Sequence, residues 1–492
     1  MELKTTLPAK KFLQLQYSGK IIKRLTLFGL NFLERYFGTN ILLDLPERLQ
    51  NIDESIFPAI IAADRLKQLG IIAGITKLPP SADEPSGFFY SSWSKHVTGR
   101  GADLASEEKA IWKALGEATE KRLWHFSDFF SRKYCIKKSF AELKGRCLNI
   151  FKLAGFSKKQ KAEDEILVFD ENTVFGWTKA HSLASKKKIF CPVQLISRRY
   201  FEENVMKKKE PDSQKEPALR WSIRTGLATG KSLEEAIVKG ISEVIERDAF
   251  MITYLNKLSP PSFDLDNLAG QDSDLNKIFQ DFRRHNLETH IFQLPTDFPV
   301  NVCLAVIIDR KSSGPALAVG ASADFNLKTC LLDALAEALT LRISLKNCPL
   351  QEVDMKNIDK EGRLAYWSRV ERLPKIEFLL KKGGKVVNLE KEKDYFIAGD
   401  NLADRKNFYE KKMSLLRKDL LQKGYEGCYV ELTDKNLKQL GFRSVQVVVP
   451  ELQPLHLNET IPYFSGKRLR EVPLKLGYKP AEELNREPHP FP

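Results

Sequence analysis

The chain has 492 residues, 42% apolar and 29% charged. That is enough for about three domain-sized units with a sizeable core, and it excludes global disorder. Lys and Arg number 78 against 64 acids, a net +14 that favours anionic partners without choosing among nucleotide, nucleic acid, acidic lipid or acidic protein, and no run approaches the ~20 apolar residues of a membrane span.

In chain order, residues 1–64 read as a partly helical lead-in. Met1-Glu2-Leu3-Lys4 opens no secretory signal, so a cytoplasmic location is expected. Ile21–Phe37 is amphipathic and basic, a helix that docks on its own core or lies on a membrane surface. Ile71–Ile75 predicts a short buried strand, ended by Pro79-Pro80. Three lysine-rich stretches, Ser157–Glu165, Lys207–Glu216 and Lys381–Asp394, read as exposed loops. None interleaves aromatics with lysines, so nucleic acid is not an expected partner. Val302–Ile308 and Val445–Val449 read as buried strands. The seven cysteines form no C-x-x-C pair and the seven histidines no H-E-x-x-H spacing, which argues against disulfide frameworks and zinc or histidine metal sites.

Three segments share one layout, a glycine-containing turn followed by a helix: Val97–Arg122, Arg224–Arg247 and Ala318–Arg342. Aligned on Glu117, Glu243 and Glu337, they place small residues (Ala114, Gly240, Ala334) three positions earlier and apolar residues (Ile111, Ile237, Leu331) six earlier. This is one face of a helix, with small residues admitting close approach of another element. The pattern predicts an α+β fold of repeated strand–turn–helix units in mixed sheets with packed helices. Ser232 and Glu235 predict a capping box at the start of the second helix.

Glu117 and Glu120 share a helix face, and Glu243 and Glu246 repeat the spacing. Two readings stay open. Lys113–Glu117–Lys121 and Glu235–Lys239–Glu243–Arg247 make solvated i,i+4 ladders, or the four carboxylates converge on Mg²⁺ and phosphate. Glycines 99, 101, 226 and 230 are either plain turns or loops that turn amides toward phosphate. The closing Pro488-His489-Pro490-Phe491-Pro492 is stiff and extended; it is a frayed end or an arm that carries a carboxylate to a defined place.

These motifs, G-R-G…K-A-L-G-E-A-T-E-K, R-T-G-L-A-T-G-K-S-L-E-E-A-I…S-E-V-I-E-R-D-A and P-H-P-F-P, resemble the YcaO family, and within it the azoline-forming cyclodehydratases of the streptolysin-S-type D subunit. The resemblance spans residues 65–492. It implies a YcaO domain over 65–480 and a tail, 481–492, that enters the active site. It implies ATP and Mg²⁺ as cofactors, with Glu117, Glu120, Glu243 and Glu246 as magnesium ligands. It further implies ATP contacts from Arg100, Lys113, Lys121, Lys231, Glu235, Arg247, Glu337 and Arg342, and a catalytic part for Pro488, Pro490 and Pro492. The implied reaction converts Cys, Ser or Thr of a ribosomal precursor peptide to thiazoline or oxazoline by phosphorylating the backbone amide oxygen. The implied partners are that peptide and a separate E1-like, leader-peptide-binding protein; a homodimer is also compatible. Four positions depart from the family pattern. Lys113 stands for serine, Lys121 for arginine, Lys231 for asparagine and Thr340 for glutamine. Backbone thioamidation and a non-catalytic scaffold are the competing readings.

Overall fold

A computed structural model describes residues 56–78, 81–126, 135–206, 215–311, 314–346, 353, 358–381 and 402–491. The expected helix Ile21–Phe37, Pro79-Pro80, Pro492 and most of Lys207–Glu216 and Lys381–Asp394 lie outside the described residues.

The described chain is α+β, and each repeat is a helix laid across antiparallel strands. In the first unit, α2 (Glu107–Phe126) packs on β2 (Phe88–Trp93) and β3 (Thr98–Asp103), with β1 (Gly74–Lys77) paired to β2. In the third, α4 (Leu327–Lys346) packs on β9 (Asn301–Ile308) and β10 (Leu317–Asp324), with β8 (Glu288–Gln293) beyond β9. In the second, α3 (Leu233–Leu255) packs on β7 (Leu227–Gly230) and β12 (Arg443–Val448). These two strands end a larger sheet. It continues from β12 through β11 (Cys428–Glu431) and β5 (Val174–Ser182) to β4 (Ile136–Ser139), with β6 (Lys188–Pro192) also on β5.

The small residues of the repeat explain how close these helices come. A Cβ at Gly101 of β3 would fall on the Ala110 carbonyl oxygen and the Ala114 amide of α2. One at Gly320 of β10 would fall on the Ala334 oxygen and the Ala338 amide of α4. Glycines 99, 101 and 230 are therefore strand residues pressed on a helix, neither turns nor phosphate loops; Gly226, at φ +89°, is the one that needs a left-handed backbone.

The units interlock in a cycle. Besides its own sheet, α2 touches β7, α3 touches β10 and α4 touches β3. The glutamates lie in the middle turns of these three helices, where each helix meets the next unit. Of the 23 residues of α3, 18 are buried. A helix buried on almost every side must pair its charges within the protein.

Several sequence expectations need adjustment. The strand expected over Ile71–Ile75 runs over Gly74–Lys77, after a turn in which Ile71 and Ile72 are buried. Residues 158–163 form a short surface helix capped by Ser157, not a loop. Glu216 is buried, accepting the Tyr200 hydroxyl and the Gly176 amide, because a carboxylate inside the protein needs such donors. The boundary expected at 64/65 falls inside α1 (Phe57–Gln68), whose Ala59, Ala62 and Leu66 share a core with Ala114 and Leu115 of α2. Ser232 caps α3 by accepting the Glu235 amide at 3.0 Å, but the Glu235 carboxylate turns to the Lys231 amide, so only half of the expected box forms.

Candidate active site

The first glutamate of each repeat does the same thing three times. Glu117 accepts the Arg100 amide of β3, Glu243 accepts the Gly226 amide at the start of β7 (2.9 Å), and Glu337 accepts the Ala321 amide of β10 (3.0 Å). Each ties its helix to its own sheet. The second glutamates tie neighbouring units instead. Glu120 of α2 accepts the Thr229 amide of β7 at 2.8 Å, and the Ala323 amide of β10 favours the charged form of Glu246 of α3. The third helix has Thr340 here, whose hydroxyl donates to the Ala336 carbonyl within α4. That junction is closed by Arg100 of β3, which reaches the Ser344 hydroxyl of α4.

Five carboxylates therefore share one region. Glu120 is pushed up to about 8, first by burial and then by the charge of Glu243, against the Thr229 amide. Glu246 is pushed up to about 8 by burial and by Glu337 and Glu243, with Arg247 opposing. Burial and the charges of Glu243 and Glu117 also raise Glu337, against Arg247 and the Ala321 amide. Burial works upward on Glu117 too, but Lys121, the Arg100 amide and Arg224 outweigh it and hold its carboxyl low.

The cations are distributed unevenly. Lys121 lies 2.8 Å from Glu117 and donates to the Thr98 carbonyl. Arg247 binds Glu246 at 2.6 Å and Glu243 at 3.5 Å. Lys231 sits over the Trp112 ring at 4.2 Å, and buried Glu235 pairs with Lys239 at 2.8 Å. Three of the ladder pairs thus form, Glu117–Lys121, Glu235–Lys239 and Glu243–Arg247, yet around a half-buried cluster and not on a solvated face, while Lys113 turns away from Glu117.

Two expected nucleotide contacts are placed elsewhere. Lys113 bridges Asp333 (2.8 Å) and Asp103 (3.1 Å), joining the first and third units. Burial disfavours its charge, but the two aspartates raise its pKa above the usual lysine range. Arg342 is 2% exposed and is saturated by Glu84 (2.8 Å), Asp309 (3.0 Å) and the Pro315 carbonyl. A guanidinium so enclosed ties the third unit to the stretch before β2, so the structure does not bring it to the glutamates.

The proline segment does reach them. Residues 488–491 are buried, and the Phe491 ring lies 4.0 Å from the Arg247 guanidinium and 5.0 Å from the Phe250 ring. Arg247 thereby joins the carboxylates to the segment.

Sequence reasoning missed Arg224, whose guanidinium is 3.7 Å from Glu117. It also missed Lys360, whose pKa is lowered by burial and by the charges of Arg224 and Lys121. Arg224 opens the second repeat, where a basic residue beside the glycine turn was the available signal; Lys360 had none. His456, Glu459 and His489 also come together, with one ligand-type atom from each within 4.8 Å of the others. No linear spacing revealed this group.

Four carboxylates on two helices, with Glu120 and Glu246 pushed up to about 8 first by burial and then by neighbouring acids, form a donor set suited to hard divalent cations. Arg247, Lys121 and Arg224 beside them suit phosphate oxygens. The arrangement can hold a metal–nucleotide pair next to the proline segment.

Comparison with known proteins agrees with this chemistry. The sequence model of the YcaO family, described as YcaO cyclodehydratase, ATP- and Mg²⁺-binding, matches residues 99–453. An uncharacterized protein of Methanothermobacter thermautotrophicus is 26% identical over 252 residues, 51% of this chain and 60% of its own, so the chain spans about 60% of the length of the curated relative it matches. Among solved structures, a heterocyclase in complex with substrate and cofactor superposes with TM-score 0.69 at 20% identity, covering 88% of this chain and 57% of that one. YcaO from Methanopyrus kandleri bound with AMPPCP and Mg²⁺ gives 0.54 at 16% identity, covering 80% and 90%. The Escherichia coli microcin synthetase McbBCD complex with pro-MccB17 bound gives 0.57 at 16% identity, covering 85% and 96%. Among the described residues no helix is long and apolar enough to cross a membrane.

Proposed function

Since the chain belongs to the YcaO family, whose cofactors are ATP and Mg²⁺, we propose that it is an ATP-dependent cyclodehydratase that forms thiazoline or oxazoline from Cys, Ser or Thr of a ribosomal precursor peptide. The observation that carries this reading is the meeting of Glu117, Glu120, Glu243, Glu246 and Glu337 with Arg247, itself stacked on Phe491 of the proline segment.

In this reading Glu117, Glu120, Glu243 and Glu246 hold Mg²⁺. Arg247, Lys121, Lys231, Arg100, Glu235 and Glu337 face the nucleotide, joined by Arg224. ATP supplies the phosphoryl group that turns the amide oxygen into a good leaving group. The chain's own residues position and compensate charge, which is most of what a phosphoryl transfer asks of a protein. Lys121 and Arg224 offset negative charge at Glu117. Arg247 does so at Glu243 and Glu246 while fixing the proline segment, whose Pro488, Pro490 and Pro492 are assigned to the peptide side of the site. Lys113 and Arg342 are structural here. The E1-like partner that delivers the peptide is a separate chain, in keeping with the microcin synthetase neighbour being a complex.

Lys113 departs from the family yet points into Asp103 and Asp333, so it does not fill the glutamate cluster with charge. This supports an enzyme over a scaffold. The test is intact mass after incubation with ATP, Mg²⁺, an E1-like partner and a precursor. Loss of one water per ring, abolished in Glu243→Gln, is expected. Exchange of oxygen for sulfur would indicate thioamidation, and an unchanged mass a scaffold. Dehydration that survives in Glu243→Gln would overturn the site.

A further inference from the structure

The proline segment lies along one face of α3. Tyr254, Phe250 and Arg247, spaced i, i−4 and i−7, meet Pro488, His489 with Phe491, and Phe491 in that order. Seven helical residues rise about 10 Å and three steps of extended polyproline backbone about 9 Å, so the two elements keep pace and run in opposite directions. A proline-rich strand has few amides to offer a sheet, and side chains must hold it.

Four of those side chains, Arg363, Tyr366, Trp367 and Lys375, come from the segment between residues 360 and 375. Trp367 Nε1 of α5 (Lys360–Trp367) donates to the Pro488 carbonyl at 2.8 Å, and the Tyr254 hydroxyl donates to the same oxygen at 2.8 Å. Tyr366 and Lys375 bind the Glu487 carboxylate at 2.6 and 2.7 Å. Arg363 reaches the Phe491 carbonyl at 3.5 Å. In the middle, the fully buried His489 pairs its Nε2 with the His456 carbonyl at 2.8 Å and donates its amide to Glu459 at 3.3 Å. The His456–Glu459–His489 group has metal-ligand chemistry, but the Arg363 guanidinium 3.5 Å from Glu459 already supplies its counter-charge. We read it as a hydrogen-bonded lock.

We propose that α5 and the face of α3 from Arg247 to Tyr254 form a cradle for residues 487–491, in which Trp367, Tyr254 and Tyr366 are positioning residues that set how far the proline segment extends toward the glutamates. The inference rests on the reading that this segment serves the reaction. Both lone pairs of the Pro488 oxygen are taken, so this residue is the fixed point from which the reach of the later ones is measured.

The test pairs Tyr254→Phe with Trp367→Phe, which remove two donors and keep two rings. Amide hydrogen exchange reads the cradle without any chemistry, because the His489 and Asn485 amides are bonded to Glu459 and the Leu255 carbonyl. Exchange at His489 should quicken by about tenfold or more as the segment loosens. With ATP, partner and precursor, kcat should fall about tenfold while KM for ATP stays within about twofold, the split expected of a misplaced group. In a chain shortened to end at Glu487 the double variant should cost nothing further. Unchanged exchange, a raised KM for ATP, or a loss that adds to the truncation would overturn the cradle. If Trp367→Phe fails to fold, Tyr254→Phe with Tyr366→Phe takes its place. Should no form of the protein dehydrate a peptide, the reaction assigned above falls, and the exchange result still decides the cradle.

Discussion

Glu120 accepts the amide of Thr229 at 2.8 Å, across the junction between the helix of the first unit and a strand of the second. One carboxylate oxygen thus fastens two repeats while the rest of the group faces Glu243 and Glu117. Glu246 feels the Ala323 amide and the Glu337 charge in the same way, between the second and third units. The acids proposed to hold metal are also the joints of the ring, so the site is as rigid as the packing that makes it.

The first prediction concerns pH. Glu120 and Glu246 titrate near 8 in place of the ordinary 4.5. The folded, metal-free protein therefore keeps protons that the unfolded chain releases. Their contribution to stability is complete below about 4.5 and is lost as pH rises through about 8. Glu120→Gln and Glu246→Gln should stabilise the metal-free protein at pH 8, each by on the order of 1 kcal/mol, and flatten this fall. Urea midpoints from pH 5 to 9 measure it. Mg²⁺ with ATP should release protons on binding at pH 7, seen calorimetrically in buffers of different ionisation enthalpy.

Arg342 tests the division between structure and site. Arg342→Met leaves Asp309 and Glu84 buried with their main counter-charge gone. A loss of about 3–5 kcal/mol in unfolding free energy is expected. The fraction that stays folded should bind ATP with unchanged affinity, measured by calorimetry. A large affinity loss without destabilisation would return Arg342 to the nucleotide.

Gly101→Ala and Gly320→Ala should behave alike, because both glycines face helix backbone at equivalent places in two repeats. Neither helix can yield without leaving its sheet. Each substitution should cost about 3 kcal/mol or more, or prevent soluble expression. Gly270→Ala, where a Cβ meets nothing within 4 Å, is the control and should be neutral.

Arg247→Lys keeps the charge beside Glu243 and Glu246 but loses the planar face that lies on Phe491. A fall of about tenfold in kcat/KM for ATP is expected, since a lysine neither stacks nor forks. Phe491→Leu should reproduce the kcat part of that loss alone. An unchanged kcat in Phe491→Leu would separate Arg247 from the proline segment.

The repeat was legible because its signal is local. Ala114, Gly240 and Ala334 sit one turn before their glutamates, and a helix packed on glycine strands needs small residues there. The shared glutamate meets a strand amide 17, 17 and 16 residues earlier, which is what aligning on it implied. The four acids proposed for metal also came together as their spacing suggested. What failed depended on distant partners. Lys113 finds Asp333 220 residues away, and Arg342 finds Glu84 258 residues away. Nothing near either residue in the sequence records those meetings. Trp367 and Tyr254 are silent for the same reason, lying 121 and 234 residues from Pro488. The half-formed cap at Ser232 was a smaller miss, in which Glu235 took the amide of the neighbouring residue.

β7 pairs with β12 alone among the described strands, and β12 is built from residues 443–448. During translation the strand that anchors Glu120 waits more than two hundred residues for its neighbour. Until the ribosome has delivered that stretch, the nascent polypeptide has no finished wall against which to grip a nucleotide. A product that stopped short of residue 443 would lack the strand that flanks β7, and with it the completed edge behind Thr229.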